Sequence, residues 1–277
     1  MRKAKLLVLL ICIPVALAVP SYLILSERQV QVPLEQFTWP YYEHLLEIVS
    51  NRERYNVITV NDYFRGDFNR DKVTVIITHD SDFMINEDFY RYERKYNIRS
   101  TYYIRPNVDE QEMPRYNFND TKILDFLNKM QADGFEIGFH YDTLSYVNKN
   151  VTNVSELDYA TSLQIFKSQL QQMRKYLDIK SIAAHGDFER LDINNFELSR
   201  RYENTMKNEL NVNERYNIRP TVYASDARNL PENATIVPDP IQAILDAKLG
   251  NIILLNFHSE WWIPENQPTL PFIPPRE

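Results

Sequence analysis

Residues 73–82 read Val-Thr-Val-Ile-Ile-Thr-His-Asp-Ser-Asp, a β-branched run that ends in a histidine and two aspartates. Such a run, with little polar alternation, is typical of a strand that is buried on both faces, as in a parallel sheet. Active sites in folds built on parallel strands gather where the strands end. The stretch therefore predicts both the fold class and the position of a functional site.

The same pattern recurs along the chain, separated by segments with helical spacing. Further strands are predicted over 57–60, 100–104, 135–139, 181–184, 221–224 and 251–257. Helices are predicted over 40–49, 121–133, 155–177, 194–211 and 241–249, with a solvated helix over 87–94. Alternating strands and helices favour a parallel sheet or barrel with the helices outside. We predict an α/β fold, an irregular parallel β/α barrel of about seven strands.

Histidines occur at the ends of these strands. Four of the five histidines in the chain directly follow an apolar run, namely His79, His140, His185 and His258. Asp226 ends a fifth strand in the same way. Scattered core histidines would not share one structural position, so the pattern predicts that several of these residues form one site.

Composition limits the chemistry of that site. The net charge of -7 argues against non-specific binding of nucleic acid. Cys12 is the single cysteine, which excludes a disulfide framework and a thiolate zinc cluster. A metal must then be held by His, Asp or Glu, a ligand set that suits zinc or another divalent transition metal. With a carboxylate base and an imidazole acid nearby, such a site is suited to hydrolysis of an amide or ester.

The amino terminus is typical of a membrane signal. Three basic residues within positions 1–5 precede an uncharged run over 6–25 that can span a bilayer. The positive charges favour an amino terminus in the cytoplasm, so we predict a single-pass signal anchor with the rest of the chain outside. A cleaved signal peptide is the alternative, because Ala-Leu-Ala at 16–18 resembles a cleavage site.

The predicted organisation has three parts. Residues 1–26 are the anchor, 27–70 a stalk and extension packed on the domain, and 71–277 the catalytic domain. Without residues 1–26 the chain carries 28 basic and 38 acidic residues. This exported part is predicted to be a glycoprotein, because it holds four acceptor sequences for N-glycosylation, at Asn119, Asn150, Asn153 and Asn233.

Four short motifs follow one another in an order that is characteristic of a known family. They are Thr-His-Asp-Ser-Asp at 78–82, Ser-Thr-Tyr-Tyr-Ile at 100–104, Gly-Phe-Glu-Ile-Gly-Phe-His at 134–140 and Leu-Asn-Phe-His at 255–258. Together they resemble the polysaccharide deacetylase family, whose shared catalytic region is the NodB homology domain, also described as carbohydrate esterase 4-like. The resemblance covers about 74–262, and the Gly-x-Glu-Ile-Gly-x-His pattern is its most specific match.

The resemblance implies a role for each strand-end residue. Asp80 would be the general base, Asp82 and His140 would be metal ligands, and His258 would be the general acid. Asp226 resembles the acidic residue of the family's fourth motif, which helps to orient the base, although it also fits a loop or capping aspartate.

Two departures concern the third metal ligand. The family's second histidine follows the first by four residues, where this chain has Leu144. Its third motif carries Arg-x-Pro-Tyr, where 183–186 read Ala-Ala-His-Gly. We expect His185 to replace the missing histidine from a neighbouring strand end, with Asp142 as the alternative third ligand.

The remaining predicted site residues would contact the substrate. The backbone N–H of Gly186 would lie near the metal and suit an oxyanion. Arg105 or Arg228 would supply the charge of the missing arginine. Trp261 and Trp262 either form a wall on which a sugar stacks or cover the barrel mouth.

The expected function is metal-dependent hydrolysis of a carbon–nitrogen bond, namely N-deacetylation of a cell-surface glycan. One alternative is a glycan-binding protein on the same scaffold with a decayed metal site, which the two departures favour. The presence of both Asp80 and His258 argues against it, because binding alone does not need a base and an acid. The other alternative is hydrolysis of a small amide or cyclic imide, against which the predicted membrane anchor argues.

Overall fold

The strand that contains residues 73–81 lies inside a parallel sheet, as its sequence predicts. The computed structural model describes residues 38–82, 87–106, 116, 118–147, 154–186, 194–226, 239–258 and 262. All of these residues belong to one compact unit.

Eight strands and eight α-helices lie in these ranges. The strands are β1 (Tyr55–Ile58), β2 (Val73–Ser81), β3 (Thr101–Ile104), β4 (Glu136–Tyr141), β5 (Ser181–Ala184), β6 (Asn213–Glu214), β7 (Val222–Ser225) and β8 (Ile252–His258). The helices are α1 (Trp39–Val49), α2 (Val60–Arg65), α3 (Glu87–Lys95), α4 (Thr121–Ala132), α5 (Thr143–Val147), α6 (Glu156–Met173), α7 (Phe196–Arg201) and α8 (Pro240–Asp246).

The sheet is parallel throughout, in the order β6-β5-β4-β3-β2-β8-β7. An eighth strand, β1, pairs with the first half of β2, from Val73 to Ile76. β3 takes over the same edge of β2 from Thr78 onward. The prediction of a parallel α/β sheet with helices is therefore confirmed.

The sheet curls into a half-barrel. Arg215 directly follows β6 at one end of the sheet, yet its guanidinium contacts Asp80 in β2 and Asn256 in β8. A flat sheet would hold these strands about 19 Å or more apart, since neighbouring strands are spaced by about 4.8 Å. The inner face of the curl is filled by a small apolar cluster that includes Ile76, Tyr103, Ala183, Tyr223 and Leu254.

One glycine makes room for this inner cluster. A Cβ on Gly138 would overlap the ring of Tyr103 and come within 3.1 Å of the carbonyl oxygen of Ser181. β4 therefore needs glycine at this inward position, so that the Tyr103 ring can lie across it.

The outer face of the sheet packs against helices and corrects one prediction. The solvated helix expected over 87–94 is α3, which buries Phe89 and Glu93 completely. Glu93 accepts hydrogen bonds from the hydroxyls of Tyr42 (2.6 Å) and Tyr102 (2.7 Å). His79 Nε2 lies 2.8 Å from the same carboxylate, so His79 faces away from the strand-end site.

Two elements have boundaries that differ from prediction. β1 ends at Ile58 because Thr59 and Asp62 form a capping box that starts α2. The helix predicted over 194–211 is split, since α7 ends at Arg201 and a π-helical turn covers Thr205–Glu209.

The membrane prediction falls outside these ranges. Within the described part of the chain, no helix is long and apolar enough to cross a bilayer. Residues 6–25 and three of the four predicted glycosylation sites (Asn150, Asn153 and Asn233) all lie outside it.

Glu214 predicts a pH-dependent stability. Burial in β6 raises its pKa from 4.5 to about 7, although Tyr141 donates a 2.8 Å hydrogen bond to its carboxylate. The folded chain therefore keeps the proton that the unfolded chain releases, so stability falls as pH rises from about 4.5 to 7.

The unfolding free energy of the native protein should fall by roughly 3 kcal/mol across this window because of Glu214, and Glu214→Gln should abolish this contribution. Urea unfolding of both proteins at pH 4.5 and pH 7.5 measures the difference. An equal change in unfolding free energy for the two proteins would contradict this assignment.

Candidate metal centre and proton-transfer groups

The carboxyl ends of four strands bring the predicted site residues together. Alternation of side chains along β2 places Asp80 and Asp82 on the inner side, whereas His79 lies on the outer side. β4, β5 and β8 contribute His140, His185 and His258 in the same way. Because all four strands are parallel, these side chains meet at one end of the half-barrel.

Asp82, His140 and His185 form a group that could hold a metal ion. Asp82 Oδ1 lies 3.5 Å from His140 Nε2 and 3.3 Å from His185 Nε2. Ligand atoms bound about 2.1 Å from a tetrahedral ion lie about 3.4 Å apart, which matches both distances. The geometry brings together the three ligands expected from the sequence, including the one from the neighbouring strand.

Both histidines are arranged to present Nε2 to this group. His140 Nδ1 lies 3.0 Å from the carbonyl oxygen of Ala183, so Nδ1 carries the proton and donates it. Burial lowers the pKa of His140 to about 4, against the opposing effect of Asp80 and Asp82. His140 is therefore neutral near pH 7, with the lone pair of Nε2 directed toward Asp82.

Asp82 supplies the negative charge. Burial opposes its ionisation, but His185, His140 and Arg105 outweigh that effect and hold its pKa well below the ordinary value. Its Oδ1 is buried and accepts no hydrogen bond from the described residues. A buried, ionised oxygen of this kind is costly unless a cation binds to it, so the donor set fits a divalent metal.

Asp80 is held by an arginine that the sequence analysis did not identify. Arg215 contacts Asp80 through two nitrogens, at 2.5 and 3.0 Å, and Asn256 Nδ2 donates a third bond of 3.0 Å. Burial opposes ionisation, but the guanidinium together with His140 and His258 keeps the pKa of Asp80 well below its ordinary value. Arg215, and not Arg105, therefore contacts Asp80, whereas the Arg105 guanidinium lies against Asp142 and His185. Arg228 lies outside the described residues.

The sequence around Arg215 explains the omission. Residues 213–217 read Asn-Glu-Arg-Tyr-Asn, and β6 is only two residues long. Nothing in this polar stretch indicates a strand end, and the partner of Arg215 is 135 residues away along the chain.

Asp226 orients the predicted acid rather than the predicted base. Its carboxylate accepts the backbone N–H of His258 at 2.8 Å and lies 2.6 Å from His258 Nδ1. The other ring nitrogen, Nε2, faces Asp80 Oδ2 at 3.8 Å. His258 is thus fixed with one nitrogen directed into the site.

Trp262 is not a sugar-stacking wall. It is fully buried, with its ring 5.6 Å from that of Trp39 and 5.6 Å from that of Phe257, measured between ring centroids. Its Nε1 donates a 3.0 Å hydrogen bond to Asp226. Trp262 therefore supports the Asp226–His258 pair from behind, and Trp261 lies outside the described residues.

Asp142 lies behind His185 rather than within the metal group. Its Oδ2 is 3.5 Å from His185 Nδ1 and accepts a hydrogen bond from Arg105. Its Oδ1 accepts a 2.8 Å bond from Asn195, a buried residue that the sequence analysis also missed. The group that could hold a metal ion contains His185 and not Asp142, which favours His185 as the third ligand.

Asn195 ties the ends of β4 and β5 together. Its Nδ2 also lies 3.1 Å from the carbonyl oxygen of His185, and its Oδ1 accepts the backbone N–H of Leu144 at 2.9 Å. Gly186, which follows His185, is exposed and pairs with Asn194 in a short bridge. The strand end that carries His185 is thereby held beside the strand that carries His140.

The Arg215–Asp80 pair generates a stability prediction. Arg215→Met should destabilise the fold by about 3–5 kcal/mol, because it leaves the buried charge of Asp80 without the guanidinium that balances it. Adding Asp80→Asn should recover part of that loss. Urea unfolding of the two single variants and the double variant measures the coupling, and strictly additive losses would contradict it.

Comparisons of the whole chain with family models, with curated proteins and with solved structures found no match. The geometry of the site is therefore the basis for any assignment of function.

Proposed function

We propose that the protein is a metal-dependent hydrolase of carbon–nitrogen bonds that removes acetyl groups from an N-acetylated glycan. One observation carries the proposal: a three-residue metal group lies beside a carboxylate and an imidazole that are each held by a dedicated partner. Asp80 is held by Arg215, and His258 is held by Asp226.

The metal group would consist of Asp82, His140 and His185. When bound there, a zinc-like ion would supply a Lewis acid, which polarises a carbonyl oxygen and makes water more acidic. Two neutral histidines and one carboxylate are a ligand set typical of catalytic zinc.

Asp80 is the proposed base. Arg215 and Asn256 fix both of its oxygens, so the carboxylate is ionised and held in one orientation. In this role it accepts the proton of the attacking water.

His258 is the proposed acid. Asp226 stabilises its imidazolium form through Nδ1, while Nε2 points toward the space next to Asp80. His258 Nε2 protonates the departing amine, so the leaving group is expelled as a neutral amine. The pair formed with Asp226 serves the same purpose as the buried aspartate behind a catalytic histidine.

The glycan substrate rests on the resemblance to polysaccharide deacetylases and on the predicted export of the domain. Gly186 would supply an oxyanion donor at the site. Trp261 would contact the sugar. The membrane anchor over 1–26 would place the reaction outside the cytoplasm.

The first experiment measures metal content and acetate release in the full-length protein. We expect about one zinc-like ion per chain, lost in His140→Ala and kept in the matched control His44→Ala, whose side chain is 60% exposed in α1. Acetate release from N-acetylated oligosaccharides should follow metal content in these three proteins.

A second variant separates the base from the metal. Asp80→Asn should keep the metal and lower the rate of acetate release at least 100-fold, because general base catalysis is removed. Full activity in this variant would contradict the assignment of Asp80. Absence of metal from the native protein, even after reconstitution, would instead favour a glycan-binding protein.

A further inference from the structure

We propose that Arg105 competes with the metal for His185, so that its guanidinium occupies the site in the metal-free chain and leaves it when the ion binds. This inference rests on the metal group of the proposed function. It does not depend on which bond the protein hydrolyses.

The position of Arg105 carries the argument. It directly follows β3, with a side chain that is only 12% exposed. One guanidinium nitrogen donates to Asp142 Oδ2, and the other, Nη1, lies 3.1 Å from His185 Nε2. The same Nη1 is 3.8 Å from Asp82 Oδ1, so the guanidinium contacts two of the three metal-group residues.

Hydrogen-bond chemistry makes these contacts incompatible with a bound ion. Arginine is always protonated and can only donate, so His185 Nε2 must accept with its lone pair. The proton of His185 is then on Nδ1, which faces Asp142 Oδ2 at 3.5 Å. A metal ion needs the same lone pair. In a neutral imidazole with its proton on Nδ1, Nε2 has a single lone pair, which cannot bind the ion and accept the hydrogen bond from Arg105 at the same time.

The consequence is a reciprocal coupling. Arg105 places a positive charge next to Asp82 and Asp142 when the metal is absent, and this stabilises the metal-free fold. The metal must break the Arg105–His185 bond, so Arg105 lowers metal affinity by the same amount that it stabilises the metal-free site. The ion pair with Asp142 can persist, which keeps the guanidinium close enough to return.

The test is the Zn²⁺ dissociation constant of the full-length protein, measured by competition with a chromophoric chelator. We expect Arg105→Gln to bind Zn²⁺ at least about tenfold more tightly, the worth of one charge-assisted hydrogen bond. Arg105→Lys should also bind more tightly, because a single ammonium stays on Asp142 and cannot bridge to His185 as the guanidinium does.

The matched control is Arg99→Gln. Arg99 lies just before β3, whereas Arg105 lies just after it. The guanidinium of Arg99 stacks over the ring of Phe135, 5.1 Å from the centroid. This variant removes the same charge from the other end of the strand and should leave the affinity unchanged. Thermal unfolding in chelator should show Arg105→Gln to be less stable than the native protein, and saturating Zn²⁺ should remove or reverse that difference.

Three outcomes would overturn the inference. Weaker or unchanged Zn²⁺ binding in Arg105→Gln would make Arg105 a supporting residue. Tighter binding in Arg105→Gln but not in Arg105→Lys would show that Arg105 only repels the ion through its charge and does not compete for the lone pair of His185. Absence of Zn²⁺ binding in every variant would remove the metal group as well, whereas the expected affinities without acetate release would contradict only the proposed reaction.

Discussion

The ion pair between Arg215 and Asp80 is the interaction on which the rest of the structure depends. Both side chains are buried; Asp80 belongs to the interior strand β2, and Arg215 directly follows β6 at the edge of the sheet. A charge pair of this kind is tolerated only when each partner is fully engaged, because the loss of either leaves an uncompensated charge in the interior. Asn256 and Thr78 complete the network, and Thr78 Oγ1 donates a 2.7 Å hydrogen bond to Asn256 Oδ1. The pair requires the sheet to curl, and the curl is what gathers the strand ends into one site.

Side-chain alternation along β2 separates two buried polar networks. Asp80 and Asp82 face the inside of the half-barrel, where Arg215 and the metal group lie. His79 faces outward, where Glu93 binds it under α1 and α3. A shift of the strand by one residue would exchange these two sets, so the register with β3 and β8 specifies the site as much as the residues themselves do. The outer network has no access to the site and supports the position of β2 from behind.

The strand-end residues could be predicted because their signal is local. The apolar run before each histidine spans a few residues, and parallel strands place their carboxyl ends at one edge. That reasoning predicted that several of these residues share one site. The resemblance to polysaccharide deacetylases then implied Asp82 and His140 as metal ligands, and His185 was expected to replace the missing third ligand. Arg215, Asn195 and Glu93 could not be found in this way, because each acts on residues 7 to 135 positions away through contacts that exist only after folding. The sequence left the role of Trp262 open for the same reason, since an aromatic residue next to a site residue can face either the substrate or the core.

By itself, the sequence determined the parallel α/β class, the strand-end location of the site and the absence of thiolate ligands, because these depend on residue type and short-range periodicity. The tertiary structure decided which arginine neutralises Asp80, which group orients His258 and why His185 rather than Asp142 faces the metal group. It also decided that Arg105 lies against His185. Each of these contacts depends on which side chains the curled sheet brings close together. Separation along the sequence does not give these distances, because the chain folds back on itself.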